Sequence, residues 1–313
     1  MSDISIIIPH RGNALGLWAT IHSCENDLQR SSLDYNYVIV SNGEELGPET
    51  SAILKSLGNS GRLLKHEHSD ESLSPPKARE IGAQIADGAL LFFFDNHCLV
   101  ASQYFDRAIL DFENRDIDIL HATTQFYTGG ETNYHYRLKL DYNFWAEYST
   151  YPTMPHKPYQ IAACGHGAFA VRKSVWNDIG GYGPSSLLRG YGGEEMIFNL
   201  KAGLLGKKTF LDPKLGHYHF NGFRGYLRHY TDEYYTNLMV SAHVIGGEKW
   251  LYKVYESFST GGKHLRMKSE RSMYDLMVDA YERSKEYAQD VASRASESLD
   301  EMLLRYRISD VAM

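Results

Sequence analysis

Apolar residues run unbroken through Ala89-Leu90-Leu91-Phe92-Phe93-Phe94 and stop against Asp95-Asn96-His97. A short continuous apolar run predicts a strand buried on both faces, as in parallel sheets. Ile4-Ser5-Ile6-Ile7-Ile8, ended by Pro9, and Tyr37-Val38-Ile39-Val40, ended by Ser41-Asn42-Gly43, read the same way. Elsewhere the apolar period lengthens to that of a helix, over residues 15–28, 50–57 and, after Pro75-Pro76, 77–86. Strands alternating with helices over the first hundred residues predict a doubly wound, mostly parallel α/β sheet with helices on both faces.

Further on, the pattern predicts a helix at 102–114, a strand at 117–122 and a Gly-flanked strand at 163–172. A helix at 173–179 is capped by Gly180-Gly181, and another, 196–205, follows Gly190-Tyr191-Gly192-Gly193-Glu194-Glu195. A late strand at 208–211 leads to Leu215-Gly216-His217-Tyr218-His219-Phe220. Residues 128–159 read as a long loop dense in Tyr, His and Trp145, a composition more often functional than structural. From about residue 224 the chain is mainly helical. Met273, Leu276, Met277, Ala280, Ala288, Val291, Ala292, Ala295, Leu299, Met302 and Leu303 keep a helical stripe, expected to pack on the body or on a second copy of the chain. Two parts are therefore expected: an α/β domain over 1–222 and a helical extension over 223–313.

Composition narrows the classes. An apolar fraction of 43% and a charged fraction of 23% are those of a globular protein with a sizeable core. A net charge of -7 gives no overall pull toward nucleic acid or anionic membrane. Cys24, Cys98 and Cys164 are widely spaced and lack metal-site pairing, which fits a reducing compartment. The start, Met1-Ser2-Asp3, has no basic segment followed by an apolar one, and no stretch approaches a membrane span; the expectation is cytoplasmic.

Candidate chemistry collects at strand ends. In an extended chain Asp95 and His97 point the same way, placing an oxygen and a nitrogen donor at the carboxyl end of a central strand. The alternative is a polar turn in which His97 is only hydrogen-bonded. Lys77 and Arg79 lie at a helix start, where amides and cations meet phosphate, or else form a surface pair. Glu194-Glu195 opens a helix from a Gly-rich loop, so the pair either serves catalysis or complements the helix dipole. Residues 213–231 contain no acid but carry Lys214, Arg224 and Arg228 among histidines and aromatics, suited to closing over a diphosphate or tracking a polyanion.

With these motifs in order, residues 3–220 resemble a family-2-like glycosyltransferase of the GT-A fold. Ser5-Ile6-Ile7-Ile8-Pro9 resembles its opening strand, and Lys77-Ala78-Arg79-Glu80-Ile81-Gly82 its Ala-Arg-Asn-x-Gly helix start with Glu80 for Asn. Asp95-Asn96-His97 stands at its Asp-x-Asp metal motif, and Gly180-Gly181-Tyr182 with Gly192-Gly193-Glu194-Glu195 resembles its acceptor-side motifs. The pattern is most similar to polypeptide N-acetylgalactosaminyltransferase catalytic domains, which carry Asp-x-His, Trp-Gly-Gly-Glu-Asn and a later Gly-His. Here Tyr191 replaces the Trp, Glu195 the Asn, and Ser41-Asn42 the acidic pair after strand two.

The resemblance implies a UDP-sugar donor, a hydroxyl acceptor and a divalent metal on Asp95, His97 and His217. His217 is favoured over His219 by the Gly-His spacing. Mixed carboxylate and phosphate oxygens favour Mn²⁺, the two imidazoles keep Zn²⁺ in play, and Mg²⁺ is a further alternative. It further implies that Pro9, His10 and Arg11 cup the base, with the Asn42 amide in place of the missing carboxylate. Lys77, Arg79, Asn96, Gly192 and Gly193 would line the nucleotide-sugar, and Glu194 and Glu195 would act in catalysis. Glu195 holds the place of the base in inverting relatives while the metal triad resembles retaining ones, so the stereochemical outcome stays open. The acceptor would be a glycan or protein, with a hydroxylated DNA base as the minority reading. The rival readings are a nucleotidyltransferase and a non-catalytic nucleotide-sugar-binding module of the same fold.

Overall fold

The computed structural model describes residues 2–43, 46–126, 133–134, 137–140, 144, 146–149, 155–220, 232–260 and 269–306. The first half alternates strand and helix as the apolar pattern requires: β1 (Ile4–His10), α1 (Ala14–Leu28), β2 (Tyr35–Asn42), α2 (Pro48–Asn59), β3 (Leu63–Ser69), α3 (Pro75–Ile85) and β4 (Leu90–Phe94). β5 (Cys98–Val100), α4 (Tyr104–Asn114) and β6 (Ile119–Phe126) follow. In the expected aromatic loop the described parts include short strands: β7 (Asn133–Tyr134), β8 (Arg137–Leu140), β9 (Ala146–Ser149) and β10 (Tyr159–Gln160). Trp145 lies outside the described residues. The strand expected over 163–172 is confined to β11 (Ala168–Arg172), then come α5 (Lys173–Ile179), α6 (Glu194–Leu204) and β12 (Thr209–His219). Three helices end the chain: α7 (Asp232–Ser259), kinked at Gly247, α8 (Met273–Arg294) and α9 (Leu299–Arg305).

The main sheet has the order β10-β12-β6-β11-β4-β1-β2-β3. β4, β1, β2 and β3 are mutually parallel; β11 runs antiparallel between β4 and β6, and β6 is parallel to β12. Side-chain alternation splits the interior into two clusters. Ile4, Ile6, Ile8, Phe92 and Phe94 face α1, α2 and α4, whereas Ile7, Phe93 and Phe169 face the other layer. That second layer holds α3 and α5 through α9. Gly82 lets α3 lie against β1, since a Cβ there would stand 2.4 Å from Ile7 Cγ2.

The C-terminal stripe is largely interior. Leu276, Ala280, Ala288, Val291, Leu299, Met302 and Leu303 join the same cluster as Phe198 and Tyr235, while Ala292 is exposed. The helices after residue 223 thus complete a core begun by the α/β part. All three cysteines are buried and unpaired. Among the described residues no helix is long and apolar enough to cross a membrane.

Candidate metal and nucleotide-sugar site

The connection from β1 to β2 runs through α1 on one face of the sheet and that into β4 through α3 on the other, so the strand order switches at β1, beside the carboxyl ends of β1 and β4. His10 ends one strand and Asp95-Asn96-His97 follows the other. The Asn96 amide nitrogen, which can only donate, lies 3.0 Å from His10 Nδ1. His10 Nδ1 therefore accepts, and its other nitrogen, 3.3 Å from Thr50 Oγ1, carries the proton. Burial, with the charge of His66, lowers the His10 pKa to about 4, so the ring is neutral.

The other end of the same amide sets His97. Asn96 Oδ1 can only accept, so His97 Nδ1, 3.1 Å away, must be protonated. Burial lowers the His97 pKa to about 4 despite the charge of Asp95, leaving its Nε2 with a bare lone pair. That nitrogen is buried and has no hydrogen-bond partner. A neutral imidazole fixed in this tautomer by a neighbouring amide is what a metal ligand requires.

Asp95 supplies the negative charge. Burial pushes its pKa up, but Arg79, His219 and His97 outweigh this and hold it below the usual carboxylate range. Arg79 Nη2 donates to Asp95 Oδ1 at 2.7 Å and to the His166 carbonyl at 3.1 Å. Asp95 Oδ2 lies 3.3 Å from His219 Nε2, and the rings of His97 and His219 are 4.5 Å apart. Asp95, His97 and His219 are the described group whose donor atoms lie within 4.8 Å of one another.

The donor group thus includes His219, where the sequence favoured His217. β12 pairs antiparallel with β5, setting His219 opposite Cys98 and His217 opposite Val100. The Phe220 amide then donates to the His97 carbonyl at 3.0 Å, bringing His219 beside His97. His217 sits two residues deeper, 3.4 Å from Thr124 Oγ1, its pKa lowered by burial to about 3. Gly167 makes room for both rings, because a Cβ there would approach each to 3.0 Å.

Other expected residues divide. The Asn42 amide bonds the backbone at both ends, accepting from Leu73 N at 3.1 Å and donating to His10 O at 3.4 Å. Arg79 is nearly inaccessible (3% exposed) and spends Nη2 on Asp95 and the His166 carbonyl. Lys77 instead lines a shallow pocket with Glu80, Gln84 and Tyr182. Pro9 lies within β1 opposite Val40, and Arg11 donates to Ser72 Oγ at 2.9 Å.

Gly192 and Gly193 have φ of +111° and +79°, and Cβ atoms there would strike Tyr234 and Ser241 of α7. They hold the loop against α7 and open α6, whose first turn bears Glu194 and Glu195. Glu194 accepts from the Gly192 amide at 2.9 Å, while burial and then Glu195 push its carboxyl up to about 7. Glu195 Oε1 accepts from His166 N at 3.2 Å, which ties the acidic turn to the residue that touches Arg79. The basic stretch 213–231 is described only to residue 220; Arg224 and Arg228 lie outside the described residues.

Sequence reasoning passed over His166 and its surroundings. This buried ring bonds Tyr182 Oη and the Asn199 amide, each at 3.0 Å, and Asn199 also accepts from His121 Nε2 at 2.8 Å. The one signal was a histidine between glycines, Gly165-His166-Gly167.

The family model for glycosyl transferase family 2 matches residues 5–180. The chain belongs to that family. N-acetylgalactosaminyltransferase 7 of Rattus norvegicus is 26% identical over 248 residues, 70% of this chain and 36% of that relative. An inactive polypeptide N-acetylgalactosaminyltransferase-like protein 5 of Macaca fascicularis is 29% identical over 156 residues, 45% of this chain and 34% of that one. The chain thus spans about a third of the length of these relatives. In structure, GalNAc-T7 solved with UDP, GalNAc and Mn²⁺ superposes with a TM-score of 0.73 at 18% identity, covering 98% of this chain and 57% of that one. Residues 1–349 of S. aureus TarS in complex with UDP give 0.60 at 14% identity, over 93% and 87% of the two chains. The GT-A fold of this family-2 chain is established by these likenesses.

Proposed function

We propose that the protein is a metal-dependent glycosyltransferase that moves a sugar from a UDP-sugar to a hydroxyl acceptor. The observation that carries this is the bare, buried His97 Nε2 beside Asp95 and His219, at the crevice of a family-2 fold. Support comes from GalNAc-T7, whose structure contains UDP, GalNAc and Mn²⁺, and from the UDP and UDP-GlcNAc complexes of TarS.

Asp95, His97 and His219 would hold the ion; the carboxylate together with diphosphate oxygens suits Mn²⁺ or Mg²⁺, while the two imidazoles keep Zn²⁺ in competition. When bound, the cation neutralises charge growing on the departing diphosphate. The chain's own residues do the rest. Arg79 keeps Asp95 ionised, and Asn96 keeps His97 in the tautomer with Nε2 free. As the sugar's bond to the diphosphate oxygen breaks and one to the acceptor oxygen forms, the acceptor proton passes to Glu195 or to the leaving phosphate. Glu194, at the same helix start, orients the sugar or the acceptor.

A screen for UDP release over several UDP-sugars, with Mn²⁺, Mg²⁺ or Zn²⁺ and with glycan, protein and hydroxymethylated DNA acceptors, tests the reading. Turnover that requires metal and is lost in His97→Ala and His219→Ala is the expected result. Absence of both UDP binding and UDP-sugar cleavage in every arm refutes it. The non-catalytic alternative has one observation in its favour, the relative named as inactive; UDP–Mn²⁺ binding without turnover on any donor would select it.

A further inference from the structure

The peptide unit joining Gly181 to Tyr182 is gripped from both sides. Its carbonyl accepts from Lys201 Nζ at 2.5 Å, and its N–H donates to Glu80 Oε1. Lys201, on α6, is fully buried, and its ammonium also donates to Tyr287 Oη of α8 at 2.8 Å. Gly181 has a φ of +48°, and a Cβ would come within 2.0 Å of Glu80 Oε1, so the carboxylate lies tight against the backbone. Burial draws Lys201 down to about 7 and pushes Glu80 up to about 7, a cost the fold carries for both groups.

What this grip holds leads to the metal site. Tyr182 Oη bonds His166 Nδ1 at 3.0 Å; the His166 carbonyl accepts from Arg79 at 3.1 Å; Arg79 donates to Asp95 at 2.7 Å. We propose that Glu80, Lys201 and Tyr287 are positioning residues that fix the Gly181–Tyr182 peptide and thereby, through Tyr182, His166 and Arg79, the place of Asp95 in the metal site. The inference rests on the metal reading of Asp95. It gives the C-terminal helix α8 a part in the site, and it gives Glu80, where the family has Asn, a task that Asn is one methylene too short to perform from the same backbone.

The test uses the full chain with two readouts. One is Mn²⁺ half-saturation by electron paramagnetic resonance with UDP present; the other is the imidazole ¹⁵N signals of His166 without added metal. Lys201→Met and Glu80→Ala are expected to raise Mn²⁺ half-saturation about tenfold, the low end for partners that orient a ligand. They should also shift the His166 signals and leave kcat at saturating Mn²⁺ largely intact. Glu80→Gln, which keeps an oxygen for the Tyr182 amide, should stay near wild type. Tyr287→Phe, mild enough to fold if the buried-lysine variant does not, should move both readouts the same way to a smaller extent. A merely structural clamp would lower melting temperature and leave both readouts in place, and that result in folded variants overturns the proposal. If the wild-type chain takes up no Mn²⁺, the functional reading fails while the His166 signals still decide the clamp.

Discussion

Asn96 donates to His10 and accepts from His97, so one amide assigns the protons of two imidazoles. Asn96→Ala leaves His97 free to choose either tautomer and is expected to weaken Mn²⁺ binding about 10- to 100-fold, read by titration with UDP present. His219→Ala removes a donor and should abolish saturation at concentrations that fill the wild type. His217→Ala, outside the donor group, should leave half-saturation near the wild-type value. Glu194 gives a separate handle through pH. Its folded carboxyl titrates at about 7 against an ordinary 4.5, so between those values the native state keeps a proton that the unfolded chain has released. The group's contribution to stability is therefore complete below about 4.5 and is lost as pH rises through about 7. Glu194→Gln removes that loss: its stability relative to wild type, from urea melts at stepped pH, should rise across the window by up to about 3 kcal/mol and level off above it.

At the scale of elements, α8 decides between a core helix and an interface helix. Leu276 is fully buried in the cluster with Phe198 and Tyr235, whereas Val278 on the same helix is 39% exposed. Leu276→Ala should cost about 2–5 kcal/mol in chemical denaturation and Val278→Ala within about 0.5 kcal/mol. Comparable losses at both positions would mean that the outer face is also covered. The elements legible in the sequence were those with a one-sided or two-sided apolar demand: β1, β2 and β4 as continuous runs, α1 and α3 by their period. β3 escaped notice because, as an edge strand, it carries Lys65, His66, Glu67 and His68 and buries none of its residues fully. β12 was seen only in part, since Pro213 falls inside it at a register shift between Asp212 and Gly216. The same strand decides which imidazole joins the donor group. His217 and His219 share a face, so periodicity nominates both, and only the pairing with β5 says which reaches Asp95. Asn42 and Arg79 carry a related lesson: their identities suit a nucleotide, but the partners they have in the fold are long-range and invisible to local pattern.

For the whole molecule, the site is a clasp between distant parts of one sheet. Asp95 and His97 follow β4, and His219 ends β12, with β11 and β6 between those strands. Unfolding separates these donors completely, so an ion held by all three binds the native state and has little affinity for the unfolded chain. Such a ligand stabilises by about 2.7 kcal/mol at a hundredfold excess over its dissociation constant. For a chain of 313 residues that corresponds to a rise in melting temperature of roughly 4 °C. Mn²⁺ and UDP together should produce this shift, each alone should produce less than half of it, and EDTA should return the protein to its starting value. The cooperation follows from charge: with one carboxylate among the three donors, the cation gains most when diphosphate oxygens complete its coordination, and the diphosphate gains most when the cation neutralises it. In His219→Ala the joint shift should vanish while UDP alone still gives its small one. A full shift with UDP in the presence of EDTA would show that the nucleotide binds without the Asp95–His97–His219 group, and the metal-dependent reading would fall.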